Sequence, residues 1–268
     1  MKITKPTRNF VAQDFTISSW DNLKPYFDDL LSRIIDSKEA YIQWLKDQSE
    51  LEAVLEENAA WRYIKMTIDT RNEEYSKAYT FFVSEIQPKI SPLQDQLNKK
   101  LVASPYLEEL SNDPSYALLF KRIKRSIDLY REENNKIIAD VTEEAQQYGA
   151  ISAAQTIEFN GEQLTMQKAA LLLKENDEQL RKEIFEKISE RRAEDRGKLD
   201  ELFNSLVEKR HRIAINAGFE NYRDYKMEEM CRFDYSVDDC KAFHTSVKQL
   251  IVPITKVIQN GNFIIINI

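Results

Sequence analysis

The sequence has few of the residues that interrupt helices: five glycines and seven prolines in 268 positions. With abundant Glu, Lys, Leu and Ala, that shortage describes a helix-rich chain. Cysteine is equally scarce. Cys231 and Cys240 alone cannot make a disulfide framework, so the chain reads as cytoplasmic with two reduced thiols. The two histidines, His211 and His244, are far apart in sequence. A His-Glu-x-x-His zinc helix needs two imidazoles one turn apart on one face, and no such pair exists. No apolar run approaches the ~20 residues of a membrane span, and none follows Met1 to Pro6 as a signal peptide would require. Gly-rich phosphate loops and Gly-x-Ser-x-Gly turns are also missing.

What remains is a charged chain with a substantial apolar share. Charged residues make up 31% and apolar residues 42%, enough for a real core and too much for a disordered protein. The net charge of −7 disfavours nucleic acid, because an acidic surface repels a phosphate backbone. Two basic runs, 121–125 and 209–212, sit at helical spacing among acidic and apolar residues. They read as solvated helix faces, with a phosphate or peptide-carboxylate site as the alternative.

Periodicity predicts helix almost throughout, in one continuous domain without linkers or fixed-period repeats. After an extended lead-in, Asp21 is the expected cap of a helix carrying Leu23, Phe27, Leu30 and Leu31. A second helix is marked by Tyr41, Leu45, Leu51 and Val54 and continues to Ile68, with a break at Arg71-Asn72. A third begins at Glu73, and Pro88 and Pro92 must kink or interrupt it. Asp113-Pro114 is a strong helix start, and Gly149 a plausible stop for the helix that reaches Tyr148. The one β signal is residues 156–165, where apolar alternation flanks Asn160-Gly161, a pair suited to a two-residue hairpin turn. Thr165 and Asp177 then cap helices, and Gly218 fits the left-handed end of a helix from about Lys198 to Ala217.

Few residues offer chemistry. Glu208 and His211 form one Glu-x-x-His step, but a di-metal site needs two. His211 therefore reads as a helix-surface or interhelical hydrogen-bonding residue. Cys240 and His244 lie one turn apart, which can hold a metal weakly; a buried thiol beside a boundary histidine is the commoner arrangement. A Cys–His nucleophile there lacks an orienting group. The 12 tyrosines read as packing residues, a minority of which can line a peptide channel.

The most informative stretch is His211 to Pro253. A helix ends in Ala217-Gly218-Phe219, followed by Asn221-Tyr222-Arg223-Asp224-Tyr225, Arg232-Phe233-Asp234-Tyr235, a capped helix from about Val237, and Val252-Pro253. This pattern resembles the oligoendopeptidase F and thimet-oligopeptidase-like zinc metallopeptidases. The hairpin with its following Leu-rich helix, and the Asp177-Glu178-Gln179-Leu180-Arg181 helix opening, are similar too.

The resemblance runs from roughly Phe10 to Pro253. It implies the N-terminal half of a clam-like peptidase, mainly all-α with one small β-hairpin, whose zinc helix lies in the other half and whose substrates are short peptides. No residue here matches the family's catalytic or metal positions, so no catalytic site, metal or cofactor is expected in this chain, and no activity from it alone. The positions that match the family's structural pattern are Gly218, Tyr222, Tyr225, Arg232, Asp234 and Tyr235. Arg232 and Asp234 are expected to pair and fix the following helix, with ordinary loop packing as the alternative.

The domain is expected to span 1–253, with 254–268 an atypical tail in which Phe263 to Ile266 has strand propensity, as in a truncated or frame-interrupted product. Expected partners are short peptides and a complementing C-terminal half or a second copy, with no nucleic acid and no membrane. A helical scaffold that self-associates through an exposed half-channel is the competing reading.

Overall fold

The structure is a computed structural model and describes residues 7–266. The reading of Met1 to Pro6 and the last two residues lie outside it. The architecture is mainly α-helical with one two-stranded hairpin, as expected. The helices, in chain order, are α1 (Trp20–Ser32), α2 (Lys38–Ile68), α3 (Glu73–Phe81), α4 (Gln87–Val102), α5 (Leu107–Ser111), α6 (Pro114–Leu129), α7 (Asn134–Ala153), α8 (Met166–Leu172), α9 (Glu178–Glu194), α10 (Arg196–Asn216), α11 (Tyr222–Glu229), α12 (Val237–Ser246) and α13 (Val252–Ile266). Strands β1 (Thr156–Phe159) and β2 (Glu162–Thr165) lie between α7 and α8.

The lead-in is held by one carboxylate. Glu50 of α2 accepts from the backbone N–H groups of Asn9, Phe10 and Val11 at 2.7–3.1 Å. Burial alone would raise its pKa, but those three donors and nearby Arg8 bring it below the ordinary range. α1 starts at Ser19, not Asp21. The Ser19 hydroxyl accepts from Asn22 N–H while the Asn22 side chain accepts from Ser19 N–H. That reciprocal pair satisfies two end donors at once, which Asp21 cannot do, so Asp21 falls in the first turn.

The main core is built from α1, α2, α4, α5 and α6. Leu23, Phe27 and Leu30 meet Tyr41, Trp44 and Leu51, with Leu97, Leu101, Leu110 and Phe120 closing the far side. Its two largest buried aromatics have their polar atoms paired: Trp44 Nε1 donates to Leu30 O at 2.8 Å, and Tyr41 Oη to Leu101 O at 3.0 Å. Lys100 Nζ caps the end of α1 by donating to the carbonyls of Leu30, Leu31 and Arg33 at 2.6–3.0 Å.

The prolines do not break the α3–α4 rod. A π-helical turn, Phe82–Ile86, joins α3 to α4 and ends two residues before Pro88. The same device recurs at Val247–Ile251, two residues before Pro253. A proline ring crowds the carbonyl four residues back and supplies no N–H; a widened turn at that place takes up the conflict. α7 likewise runs through Gly149 to Ala153, contrary to the expected stop. A glycine inside a helix costs only ~1 kcal/mol, a small penalty for a helix that packs along α10.

The hairpin forms as expected, with Thr156 opposite Thr165 and Asn160 and Gly161 both at positive φ. It packs on α8 and α9 through Ile157, Ala169, Ile184 and Ile188. Buried Asp195 ties this unit together, accepting from Gln155 Nε2 at 3.1 Å and Arg191 at 2.7 Å.

The C-terminal region differs from expectation. α13 carries the backbone across Pro253 to Ile266, so the stretch expected to favour strand is helical. Its strand propensity is a weak preference that an established helix overrides. α12, the second π turn and α13 form a continuous arm with apolar side chains in solvent: Phe243 is 67% exposed, Leu250 65% and Val257 72%.

Candidate functional site

The family-like residues sit around the join between α10 and α11. α10 ends in a Schellman motif: Gly218 N–H donates to Ile215 O and Phe219 N–H to Ala214 O, both at 2.9 Å. Gly218 takes φ 89°, the left-handed position that closes the motif, as its sequence position predicts. Asn221 then caps α11, its Oδ1 accepting from Asp224 N–H at 3.0 Å. Asp224 is held below the usual carboxylate range by the Arg223 guanidinium first and the Asn221 amide second.

This local geometry turns two tyrosines inward. Tyr225 is buried with Leu129, Ile213, Ala214 and Ala217. It packs edge-on to Phe219 at 5.7 Å and stacks with Tyr222 at 5.9 Å. Burial pushes the Tyr225 phenol up to about 12, so it stays a neutral hydrogen-bonding group through the physiological range. Tyr222 and Tyr225 line a cavity of about 360 Å³ between α7, α10 and α11, with Arg210, Gln146, Lys226 and Glu229 at its edges. The structure thus brings Gly218, Tyr222 and Tyr225 together.

Arg232, Asp234 and Tyr235 do not join them. They lie on the exposed segment between α11 and α12. The expected Arg232–Asp234 pair is not formed: the Arg232 guanidinium lies 6.0 Å over the Tyr235 ring instead. The reason is upstream. α11 ends in a second Schellman motif, Cys231 N–H to Glu228 O at 2.9 Å and Arg232 N–H to Met227 O at 3.1 Å. Here Cys231, at φ 54°, occupies the left-handed position that glycine fills in the first motif. The motif commits the Arg232 backbone to α11, and α12 is fixed by Ser236 and Asp239 in a reciprocal cap of its own.

The basic runs are largely solvated, as expected: Lys121, Arg122, Lys124 and Arg212 are exposed, although some members of each run also touch neighbouring elements. Lys121 lies 4.1 Å over the Phe233 ring, and Arg125 Nε is 2.9 Å from Glu228 Oε2, though its N–H is not aimed at that oxygen. Lys209 pairs with Glu144 of α7, and Arg210 borders the tyrosine cavity. His211 and His244 are both exposed, and Cys240 is half-buried rather than buried. Among the described residues no three His, Cys, Asp or Glu side chains converge closely enough to hold a metal ion.

Two positioning residues escaped sequence reading. Asn134, 2% exposed at the start of α7, donates to Ile213 O at 3.0 Å and accepts from Asn216 Nδ2 at 2.7 Å. Arg131 donates to Asn216 O at 3.1 Å and covers the carbonyl end of α10. The available signal was Asn134 itself, a polar residue in line with Ile137 and Val141 on an apolar stripe.

Sequence comparison agrees with this segment's pattern. Residues 10–130 match the Peptidase M3 N-terminal domain, and residues 171–260 match Peptidase family M3. The chain belongs to peptidase family M3. The second match contains the Gly218–Tyr235 segment and continues past Pro253. No curated protein matches the chain.

Solved structures of the same fold include a protein assigned as an oligoendopeptidase F, at 25% identity and TM-score 0.85, covering 95% of this chain and 45% of its own. Another, from Bacillus anthracis str. Ames, has 23% identity and TM-score 0.84, covering 93% and 46%. PZ peptidase A with an inhibitor has 24% identity and TM-score 0.83, covering 92% and 44%. This M3 chain therefore spans just under half the length of the solved structures it matches.

Proposed function

We propose that this chain supplies the helical N-terminal portion of an oligopeptide-cleaving zinc endopeptidase, and that cleavage needs a zinc-binding segment these 268 residues do not contain. One observation carries the reading. Nearly the whole chain superposes on an oligoendopeptidase F, yet it accounts for 45% of that protein, and its two histidines make no His-Glu-x-x-His. In such a partnership zinc supplies the activated water, and this chain supplies shape and contacts.

The exposed apolar arm supports a complementing half as partner. Phe243, Leu250, Ile254 and Val257 are all more than half exposed in one continuous helical stretch, an arrangement that monomers rarely leave uncovered. A second copy of the chain is the alternative cover. Short peptides fit the tyrosine-lined cavity, where phenol hydroxyls and Arg210 can meet backbone and carboxylate groups.

The test is a quenched peptide cleaved internally, offered to the chain alone in zinc and to the chain mixed with a separately expressed M3 catalytic half. Cleavage by the mixture only is expected. Cleavage by the chain alone that is lost in His211→Ala would overturn the proposal. Light scattering separates the two covers: a dimer that persists in the mixture favours self-association.

A further inference from the structure

A second cleft, of about 490 Å³, lies between α2, α4 and α6, apart from the tyrosine cavity. Its floor is polar and incompletely paired. Gln48 is 3% exposed, and its Oε1 has no hydrogen-bond partner. Gln48 Nε2 and Gln94 Nε2 both donate to the same oxygen, Glu52 Oε1, at 3.0 and 2.8 Å. The other oxygen, Glu52 Oε2, receives no donor among the described residues. A buried acceptor left unpaired costs about 1–3 kcal/mol; Gln48 Oε1, sealed beneath the cleft, bears that cost, whereas Glu52 lines the cleft with its Oε2 outside the sealed atoms and free to take a donor.

The opposite sign is found nearby. Arg122 lines the cleft from α6 and makes no ion pair among the described residues, although it is close enough to Glu52 to favour that carboxylate's charged form. Asn98, 8% exposed, uses its Oδ1 to accept from Gln94 and leaves its Nδ2 without an acceptor. Between these groups the walls are apolar: Leu45, Leu119 and Ile123. The arrangement thus presents one open carboxylate oxygen, two donors and an aliphatic wall in one cleft.

We infer that this cleft binds a small apolar zwitterion, a free aliphatic amino acid or its dipeptide, with its ammonium on Glu52 Oε2 and its carboxylate toward Arg122 and Asn98. An ammonium group has three donors and no acceptor, which suits an open carboxylate oxygen. The aliphatic side chain covers the Leu119 and Ile123 wall. The site does not depend on the peptidase reading, since none of its residues belongs to the α10–α11 segment.

The test is calorimetric titration of the intact 268-residue chain with L-leucine, Leu-Leu, leucine amide and N-acetyl-leucine. The free ammonium ligands are expected to bind saturably at one site, and N-acetyl-leucine at least tenfold more weakly. Glu52→Gln keeps the side-chain volume and is expected to weaken every ammonium ligand at least tenfold. Arg122→Gln, at an exposed position, is expected to weaken L-leucine and Leu-Leu but leave leucine amide unchanged. Melting curves of both variants confirm that each is folded. Leu-Leu bound in preference to leucine identifies the peptide as occupant; the reverse identifies the free amino acid. No saturable binding of either, equal binding of N-acetyl-leucine, or affinities unmoved by both variants would overturn the inference.

Discussion

The two Schellman motifs flanking α11 make a reciprocal experiment, because one closes on Gly218 and the other on Cys231. A non-glycine residue in the left-handed region costs about 1–2 kcal/mol. Glycine avoids that cost but makes the unfolded chain floppier by about 0.4–1 kcal/mol. The difference leaves about 0.5–1 kcal/mol in favour of glycine at either position. At Gly218 a Cβ would meet no atom within 4 Å, so Gly218→Ala carries the backbone term alone, without a clash. Gly218→Ala is therefore expected to lose about 0.5–1 kcal/mol, and Cys231→Gly to gain a similar amount. Urea denaturation followed by circular dichroism reads both. With a slope of ~3 kcal/mol/M the midpoint moves by ~0.2–0.3 M, in opposite directions for the two variants. A neutral Gly218→Ala, or a Cys231→Gly that unfolds earlier than the parent, would refute the left-handed-cap argument.

Other outcomes follow from buried polar groups. Asn134→Ala removes two hydrogen bonds and leaves a small void between α7 and α10; a loss of about 2 kcal/mol is expected by the same denaturation assay. Glu52 has its pKa raised by burial first, only partly offset by the Gln48 and Gln94 amides. The folded state then binds the proton more tightly than the unfolded one, so stability falls as pH rises through the folded pKa. Glu52→Gln should melt higher than the parent near pH 8, and the advantage should vanish below the ordinary glutamate value of 4.5. Glu50 behaves oppositely: its pKa is lowered, so the stability it contributes is present above 4.5 and is lost as pH falls through its folded pKa. Glu50→Gln should flatten that acid limb, measured as melting temperature against pH. In a spectrophotometric titration, Tyr41 and Tyr225 should ionise near 12, and Tyr225→Phe should remove one of those late steps.

Features set by a few neighbouring residues were legible in the sequence. Asp113-Pro114, Asp177 and Thr165 start helices, Asn160-Gly161 turns the hairpin and Gly218 ends α10, because each acts on backbone groups within four residues of itself. The misreadings came where a distant or reciprocal partner decides. Gly149 fails as a stop because α7 packs along α10 and a glycine within a helix carries only a small cost. Asp21 loses the cap to Ser19 because Asn22 answers back. The π turns before Pro88 and Pro253 leave no compositional mark. The same division holds for the site. Gly218, Tyr222 and Tyr225 were legible as one local pattern, whereas Asn134 and Arg131 reach α10 across some 80 positions of sequence. Arg232 and Asp234 are near neighbours in the chain, yet the turn at Cys231 leaves them unpaired.

The central proposal is that this M3 chain provides fold and contacts, and that hydrolysis needs a zinc-binding segment these 268 residues do not contain. The most direct measurement is internal cleavage of a quenched peptide by the purified chain in zinc, before and after addition of an M3 catalytic half. The account predicts no turnover before addition and turnover after it. Stoichiometric zinc on the chain alone, with turnover abolished by His211→Ala or His244→Ala, would contradict it.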